Sequence, residues 1–177
     1  MHDYNIENLR FLIIDDNRHA REVVRAMLNS LGAHQIEESG DGIEALSALK
    51  TFPPDIILCD LLMTPMDGID FTHLVRTSPK IENPMVPIII LSGHADKEHV
   101  MAARDAGANE FLVKPVSTKT LYGHICEIIA HPRRFVQSVD FLGPDRRRHD
   151  DLNFAGEERR VDAPRLLKRH RDALLEE

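Results

Sequence analysis

The feature of this sequence that most constrains its fold is a regular alternation of short apolar runs with longer segments of helical periodicity. The strong runs are apolar throughout rather than alternating in polarity, which is typical of strands in a parallel sheet covered on both faces. Five runs predict strands: "LRFLII" (9–14), "QIEE" (35–38), "DIILC" (55–59), "VPIIIL" (86–91) and "NEFLV" (109–113).

The segments between these runs have the spacing of amphipathic helices. Over 17–31, Val24, Leu28 and Leu31 share one face, and Gly32 follows as a C-terminal cap. The same spacing predicts helices over 42–50, 67–77, 96–106 and 118–130. Because strand and helix alternate with short connections, the sequence predicts a doubly wound α/β domain with right-handed crossovers.

Length and composition exclude several classes of protein. The 177 residues suit one domain of ordinary size with an extension. No window of about 18 unbroken apolar residues occurs, and the first residues lack the basic and apolar regions of a signal peptide. We therefore expect a cytoplasmic protein without membrane insertion, in which Cys59 and Cys126 are reduced thiols of the core.

Polar residues stand where the predicted strands end, and in a doubly wound sheet this edge is where ligands bind. A lone aspartate after a strand is usually a helix cap or a turn residue, and a lone serine or lysine there means little. The fold, however, brings all five to the same edge of one sheet. They are Asp15 and Asp16 after the first strand, Asp60 after the third, Ser92 after the fourth and Lys114 after the fifth.

The three aspartates at this edge favour a metal site. Carboxylates that lie close together repel one another, and some of them would bind protons unless a cation were present. Mg²⁺ prefers oxygen ligands and keeps several of its waters. The candidate ligands are Asp15 or Asp16, Asp60 and a backbone carbonyl just after Asp60, for which we choose Leu62.

The same strand ends carry the motifs of a known family. "DD" follows the first strand, "CDLLMTPMDG" the third, "SGH" the fourth and "FLVKP" the fifth. In this order, over residues 8–131, the motifs resemble the receiver domain of two-component response regulators. The resemblance implies a flavodoxin-like (βα)5 sheet with strand order 2-1-3-4-5. It also implies an aspartate that accepts a phosphoryl group from a histidine kinase or a phosphotransfer protein.

The resemblance assigns roles residue by residue. Asp60 resembles the phosphoacceptor, Asp15 and Asp16 the acidic pair that binds Mg²⁺, Lys114 the family's lysine, Ser92 the switch hydroxyl and Phe111 the aromatic switch position.

Two of these motifs, "FLVKP" and "CDLLMTPMDG", contain further features. The Lys114-Pro115 bond resembles one that is cis in the family, and Phe111 can equally be an ordinary core aromatic. The sequence departs from the family at position 64. The family usually has proline directly after the methionine, but here Thr64 separates Met63 from Pro65. This departure affects the loop that controls access to Asp60.

The residues suit phosphoryl transfer chemically. A carboxylate is a competent nucleophile, and the reaction otherwise needs alignment and neutralisation of charge, which Mg²⁺ and Lys114 supply. The added charge is expected to draw Ser92 and Lys114 towards it and to alter the face formed by about 95–130. We predict a signalling protein, not an enzyme beyond self-phosphorylation and slow autodephosphorylation. It would act on an unknown protein target, and phosphorylation could also drive homodimerisation.

A second interpretation is a phosphohydrolase of the haloacid dehalogenase type with Asp60 as nucleophile. That family requires a second aspartate two residues after the first, but this chain has Leu62 there. An apolar Leu62 also offers little to orient an attacking water, which favours a long-lived phosphoryl state. Neither GxxxxGK[ST] nor GxGxxG follows the first strand, which argues against nucleotide binding.

Residues 132–177 form a charged C-terminal extension of different composition. They hold 11 Lys/Arg and 10 Asp/Glu, in a chain of net charge −7. "FLGPDRRR" at 141 and "FAGEERRV" at 154 form a two-copy FxGxxRR-like motif that suggests two equivalent docking elements. The last residues, "DAPRLLKRHRDALLEE", predict a terminal helix.

Three interpretations of this extension stay open. It can be a solvated tail, because it is highly charged with few large apolar residues. It can dock on a partner protein or back on the receiver. It can act in transcription, but it is short for a DNA-binding domain, and its acidic residues argue against nucleic acid as a partner.

Overall fold

A computed structural model describes residues 4–138 and 141–145, together with the backbone of residues 160–161. Its main sheet has five parallel strands, and each lies within one or two residues of a predicted run. The strands are β1 (Arg10–Ile14), β2 (Gln35–Ser39), β3 (Ile56–Asp60), β4 (Ile88–Ser92) and β5 (Glu110–Val113).

Five helices alternate with these strands, also as predicted. They are α1 (Arg18–Ser30), α2 (Gly42–Ala48), α3 (Gly68–Thr77), α4 (Lys97–Ala106) and α5 (Thr118–Ala130). Asn17 caps α1 by accepting from two backbone N–H groups, and Ser117 caps α5. Gly32 and Gly107 have positive φ angles where α1 and α4 end, a conformation that glycine adopts at little cost.

The strand order is β2-β1-β3-β4-β5, which confirms the flavodoxin-like topology. The strands are buried on both faces, because alternate residues of each strand enter two separate apolar clusters. Phe11 and Ile13 of β1 pack with residues of α1 and α5, whereas Leu12 and Ile14 pack with residues of α2, α3 and α4. Two helices therefore cover one face of the sheet and three cover the other.

The described part of the extension forms a second, small sheet that the sequence pattern did not predict. Its strands, in antiparallel order β7-β6-β8, are β6 (Phe135–Gln137), β7 (Leu142–Pro144) and β8 (Arg160–Val161). At the 13-residue offset of the repeat, β8 corresponds to residues 147–148 and not to β7. The counterparts of β7 and β8 in the other copy, residues 155–157 and 147–148, lie outside the described residues. Residues 154–159 and the predicted terminal helix lie outside the described residues.

This extension docks on the receiver through a buried arginine. Phe135 is 1% exposed, and its ring lies 5.2 Å from the guanidinium carbon of Arg76. Arg76 donates hydrogen bonds to the carbonyls of Gly107, Pro84 and Val86 and to Asn109 Oδ1. Burial lowers the pKa of Arg76 to about 9, so the group stays charged at neutral pH.

Two further contacts hold the extension in place. Arg133 pairs with Glu110 of β5, with 3.1 Å between their nitrogen and oxygen. A Cβ added to Gly107 would lie 2.9 Å from the carbonyl oxygen of Leu142, so β7 approaches the end of α4 closely. The described residues of this segment, 133–138 and 141–145, are therefore packed against α3, α4 and β5.

The remaining expectations about the chain concern membranes and thiols. Among the described residues, no helix has both the length and the apolar character that a membrane span requires. Neither Cys59 nor Cys126 is in a disulfide; Cys59 is fully buried, whereas Cys126 is only half-buried and so is not a full core residue as expected. Burial, followed by the charge of Asp60, raises the pKa of Cys59 well above its ordinary value. This thiol therefore stays protonated and unreactive.

Candidate functional site

Three of the predicted site residues converge on one point at the carboxyl edge of the sheet. The Nζ atom of Lys114 donates to Asp60 Oδ1 at 2.5 Å and to Asp15 Oδ2 at 2.8 Å. These residues follow or end β5, β3 and β1, and parallel register aligns the three strand ends. The structure thus brings together side chains that are 54 and 99 residues from Lys114 in sequence.

Asp60 is buried, although slightly less completely than Asp15. It is 9% exposed, and its Oδ2 accepts a hydrogen bond of 3.1 Å from the backbone N–H of Leu62. Burial raises the pKa of Asp60, and the negative charge of Asp15 adds to this effect. The ion pair with Lys114 alone would lower that pKa, so burial outweighs the pair. The carboxylate is poorly solvated and depends on neighbouring positive charge.

Lys114 meets that need as a permanent cation. Burial would lower the pKa of Lys114, but its hydrogen bonds to Asp15 and Asp60 outweigh burial and raise the pKa. The ammonium group therefore stays charged between the two carboxylates. The Lys114-Pro115 peptide that follows is cis, as the family resemblance implies.

Each polar group of Asp15 makes a hydrogen bond. Its backbone N–H donates to the carbonyl of Ser39, and its own carbonyl accepts from Arg21 at 2.7 Å. Its Oδ1 accepts from the backbone N–H of Asn17 at 2.8 Å, while Oδ2 accepts from Lys114. The position of this carboxylate is therefore set by β2, α1 and the lysine together.

Ser92 is the last residue of β4, and Phe111 lies in the neighbouring strand β5. Ser92 is 1% exposed, and its Oγ accepts a hydrogen bond from the backbone N–H of His94. Its hydroxyl proton is thus free to donate elsewhere. Its carbonyl accepts from the N–H of Lys114 at 2.7 Å, which couples the two loops. Phe111 is partly buried and packs against the core cluster that includes residues of α3 and α4.

The predicted metal ligands are not assembled into a closed cluster. Asp16 is exposed, and within the described ranges no three His, Cys, Asp or Glu side chains converge as a metal site. Yet Asp15 and Asp60 both face one cation, the ammonium of Lys114. Carboxylate oxygens are the ligands that Mg²⁺ prefers. The carboxylates of Asp15 and Asp60 are donors that fit a hard divalent ion.

Some residues that shape the site were not singled out from the sequence. A Cβ at Gly68 would lie 2.3 Å from the carbonyl oxygen of Asp60, so only glycine lets α3 begin this close to β3. The "MDG" spacing was the available signal for it. The Thr64-Pro65 bond, where the sequence departs from the family pattern, is cis as well. The contact of Arg21 with Asp15 had no sequence signal.

Comparisons with known proteins agree with this geometry. A family model for the response regulator receiver domain matches residues 11–126. The chain is 32% identical over 115 residues to chemotaxis protein CheY-3 of Vibrio cholerae, which covers 65% of this chain and 87% of that protein. It is 28% identical over 127 residues to the transcriptional regulatory protein ZraR of Klebsiella oxytoca, covering 72% of this chain and 28% of that protein.

Solved structures are also similar to this chain. The chain matches chemotaxis protein CheY4 of Vibrio cholerae with a TM-score of 0.62 and 28% identity, over 68% of this chain and 98% of that chain. It matches the receiver domain of sensor histidine kinase PA1611 from Pseudomonas aeruginosa PAO1 with a TM-score of 0.59 and 32% identity, over 67% and 94% of the two chains. In that structure a magnesium ion is coordinated in the active site cleft.

Proposed function

The chain belongs to the response regulator receiver domain family, whose members serve phosphorelay signalling, and on this premise we propose that Asp60 is its phosphoacceptor. The observation that carries the proposal is the convergence of Asp60 and Asp15 on the ammonium group of Lys114. Incubation with a small phosphodonor and Mg²⁺, followed by intact mass measurement, tests it. One phosphoryl group should be gained by the parent protein and none by Asp60→Asn.

The proposed reaction is a simple displacement at phosphorus. A carboxylate oxygen of Asp60 forms a bond to phosphorus while the bond from phosphorus to the donor's histidine nitrogen breaks, and that nitrogen keeps the electron pair. Lys114 already contacts the attacking carboxylate, so its charge is in place to stabilise the equatorial oxygens. Ser92 has a hydroxyl proton to donate to the product.

We also propose that Mg²⁺ assists this reaction. The residues to hold it are Asp15, Asp16, Asp60 and the backbone carbonyl of Leu62, and the magnesium ion in the PA1611 receiver domain supports this assignment. When bound, the ion supplies positive charge to the transferring oxygens and aligns them. Asp15 and Asp60 bring two negative charges to one point, which Lys114 alone only half neutralises.

Signalling would follow from movement of the loops beside the acceptor. Ser92 and Lys114 are linked through their backbones, so attraction of both to the phosphoryl group would shift the starts of α4 and α5. Phe111, partly buried behind them, is proposed to change its packing in response. Val100 and Met101 of α4 and Val113 of β5 are exposed apolar residues on the face expected to change.

Receiver domains of this kind interact with histidine kinases or phosphotransfer proteins and with downstream targets, and they are signalling proteins rather than enzymes. For this chain we propose a protein as the downstream target, with a phosphorylation-dependent homodimer as another possible readout. Transcriptional regulation is the weaker proposal. The match with ZraR spans 127 residues and covers only 28% of that regulator, so most of ZraR lies outside the match.

Replacement of Lys114 by methionine should slow phosphorylation of Asp60. Methionine keeps an unbranched apolar side chain but has no charge to place beside the acceptor, where Lys114 Nζ lies 2.5 Å from Asp60 Oδ1. Loss of one charged donor from a preorganised site costs about 100-fold in rate. The initial rate of adduct formation with a small phosphodonor measures this. Lys119→Met, an exposed position in α5, is the control and should leave the rate unchanged.

Replacement of Leu62 by asparagine should shorten the lifetime of the phosphoryl group. Leu62 is 49% exposed, and its N–H contacts Asp60 Oδ2, so its side chain stands at the mouth of the site. An amide at this position can orient an attacking water, which we expect to accelerate hydrolysis by about 10-fold. Decay of the purified adduct is the measurement. An unchanged or slower decay in Leu62→Asn would contradict the role given to this side chain, and Leu62→Met should retain the parent lifetime.

A further inference from the structure

We propose that Arg21 is a positioning residue for the acidic pair: its guanidinium holds the peptide group between Asp15 and Asp16 and so sets the direction of the Asp16 carboxylate. The inference rests on the proposed function of the strand-end site. It gives a role in that site to a residue of α1 that lies outside the family motifs quoted above.

The geometry of Arg21 is that of a two-sided clamp. Its NH1 group donates to the carbonyl oxygen of Asp15 at 2.7 Å, and its Nε donates to Glu38 Oε2 at 3.1 Å. The side chain is 17% exposed, so solvent competes little for these hydrogen bonds. One planar guanidinium thus ties the loop after β1 to the end of β2.

The carbonyl of Asp15 needs this partner because it lies beyond the sheet. The pairing of β1 ends at Ile14, which is opposite Ser39 on one side and Cys59 on the other. Asp15 is buried, and a buried carbonyl without a hydrogen bond is costly. Arg21 supplies the bond that no neighbouring strand supplies. It thereby fixes the plane of the peptide that leads into Asp16.

Glu38 keeps the clamp in place. It lies in β2 opposite Ile13 of β1, so the anchor belongs to the rigid sheet. It also pairs with Arg25, one turn further along α1. Burial would raise the pKa of Glu38, but hydrogen bonds from Arg25 and Arg21 lower it, so the anchor stays ionised.

This restraint bears on metal binding through Asp16. The Asp15 side chain is held by Asn17 and Lys114 without help from Arg21. Asp16 is exposed, so its direction depends on the backbone more than on packing. Loss of Arg21 should therefore weaken Mg²⁺ binding while Asp60 and Lys114 stay in place.

The experiment compares two arginines that share Glu38. Arg21→Met removes the hydrogen bond to the Asp15 carbonyl. Arg25→Met removes a partner of Glu38 without affecting Asp15, because the described hydrogen bonds of Arg25 go to Glu38 and to the carbonyl of Ile36. We expect the dissociation constant for Mg²⁺, measured by calorimetry without phosphodonor, to rise about 10-fold in Arg21→Met. Arg25→Met should stay within about twofold of the parent.

A second measurement separates positioning from catalysis and from folding. At saturating Mg²⁺, Arg21→Met should regain phosphorylation of Asp60 to within about twofold of the parent rate. Should Arg21→Met fail to fold, Arg21→Lys keeps the charge and most of the stem. It should also bind Mg²⁺ more weakly, because one ammonium cannot reproduce the planar fork.

The outcomes distinguish this inference from the proposed function. A folded Arg21 variant of lower thermal stability but parental Mg²⁺ affinity would overturn the inference alone, as would an equal loss of affinity in Arg25→Met. A parent protein that binds no Mg²⁺ would overturn the inference together with the proposed metal site. Absence of an Asp60 adduct in a parent that binds Mg²⁺ would instead count against the phosphoacceptor assignment.

Discussion

Asp60→Asn is expected to abolish the phosphoryl adduct that the parent protein forms with a small phosphodonor and Mg²⁺. Asparagine has nearly the shape of aspartate, and its amide can keep a hydrogen bond with the backbone of Leu62. It lacks the anionic oxygen that attacks phosphorus, so no adduct should form at this position. Intact mass spectrometry gives the number of phosphoryl groups directly, and the expected change is from one to none.

The matched control is Asp105→Asn, the same chemical change at an aspartate on the outer part of α4. It should leave the adduct unchanged. Retention of the adduct in Asp60→Asn, at the level of the parent, would show that another nucleophile carries the phosphoryl group. Removal of a buried charge that is only partly compensated should not destabilise the fold, so thermal unfolding should confirm that the variant is intact.

The second large effect is expected from Phe135→Ala, which should lower the free energy of unfolding by about 3 to 5 kcal/mol. The Phe135 ring is fully buried and lies over the guanidinium of Arg76, so the change removes both apolar packing and a cation–π contact. It also exposes the guanidinium of Arg76, together with the hydrogen bonds it makes, to solvent. This loss is a large share of the stability of an ordinary domain.

Urea unfolding of the full chain measures this effect, with Val136→Ala as control. Val136 is the next residue of β6 and is only half-buried, so its truncation should cost about 1 kcal/mol or less. A loss from Phe135→Ala as small as that from Val136→Ala would mean that the extension is not part of the folded unit. A large loss would mean that the folded unit extends past residue 131 to at least Phe135.

Much of the main fold was predictable because its signals are local. Continuous apolar runs and helical spacing placed all five parallel strands and all five helices to within about two residues at nearly every end. The small sheet of β6, β7 and β8 was not predictable in this way. Its strands are two or three residues long, too short for any periodicity to be detected. Phe135 of this sheet packs over Arg76, a contact between segments that are far apart in the chain.

Some residues of the candidate site could likewise be predicted from the sequence, and others could not. Asp15, Asp60, Ser92 and Lys114 were identified because strand ends and the family motifs coincide at these residues. The clamp of Arg21 on the Asp15 carbonyl was not, since an arginine on a helix is ordinarily a solvated residue. The repeat at 141 and 154 suggested equivalent docking elements, and this stays a prediction because most of the second copy lies outside the described residues.

The sequence by itself determined the architecture and the family, because apolar periodicity and motif order are properties of neighbouring residues. The tertiary structure decided which groups touch. It put the ammonium of Lys114 between two carboxylates 54 and 99 residues away, and it packed the extension over Arg76. Such contacts depend on how the helices and strands pack, and the free energy of burial that governs packing belongs to the whole core and not to any one segment.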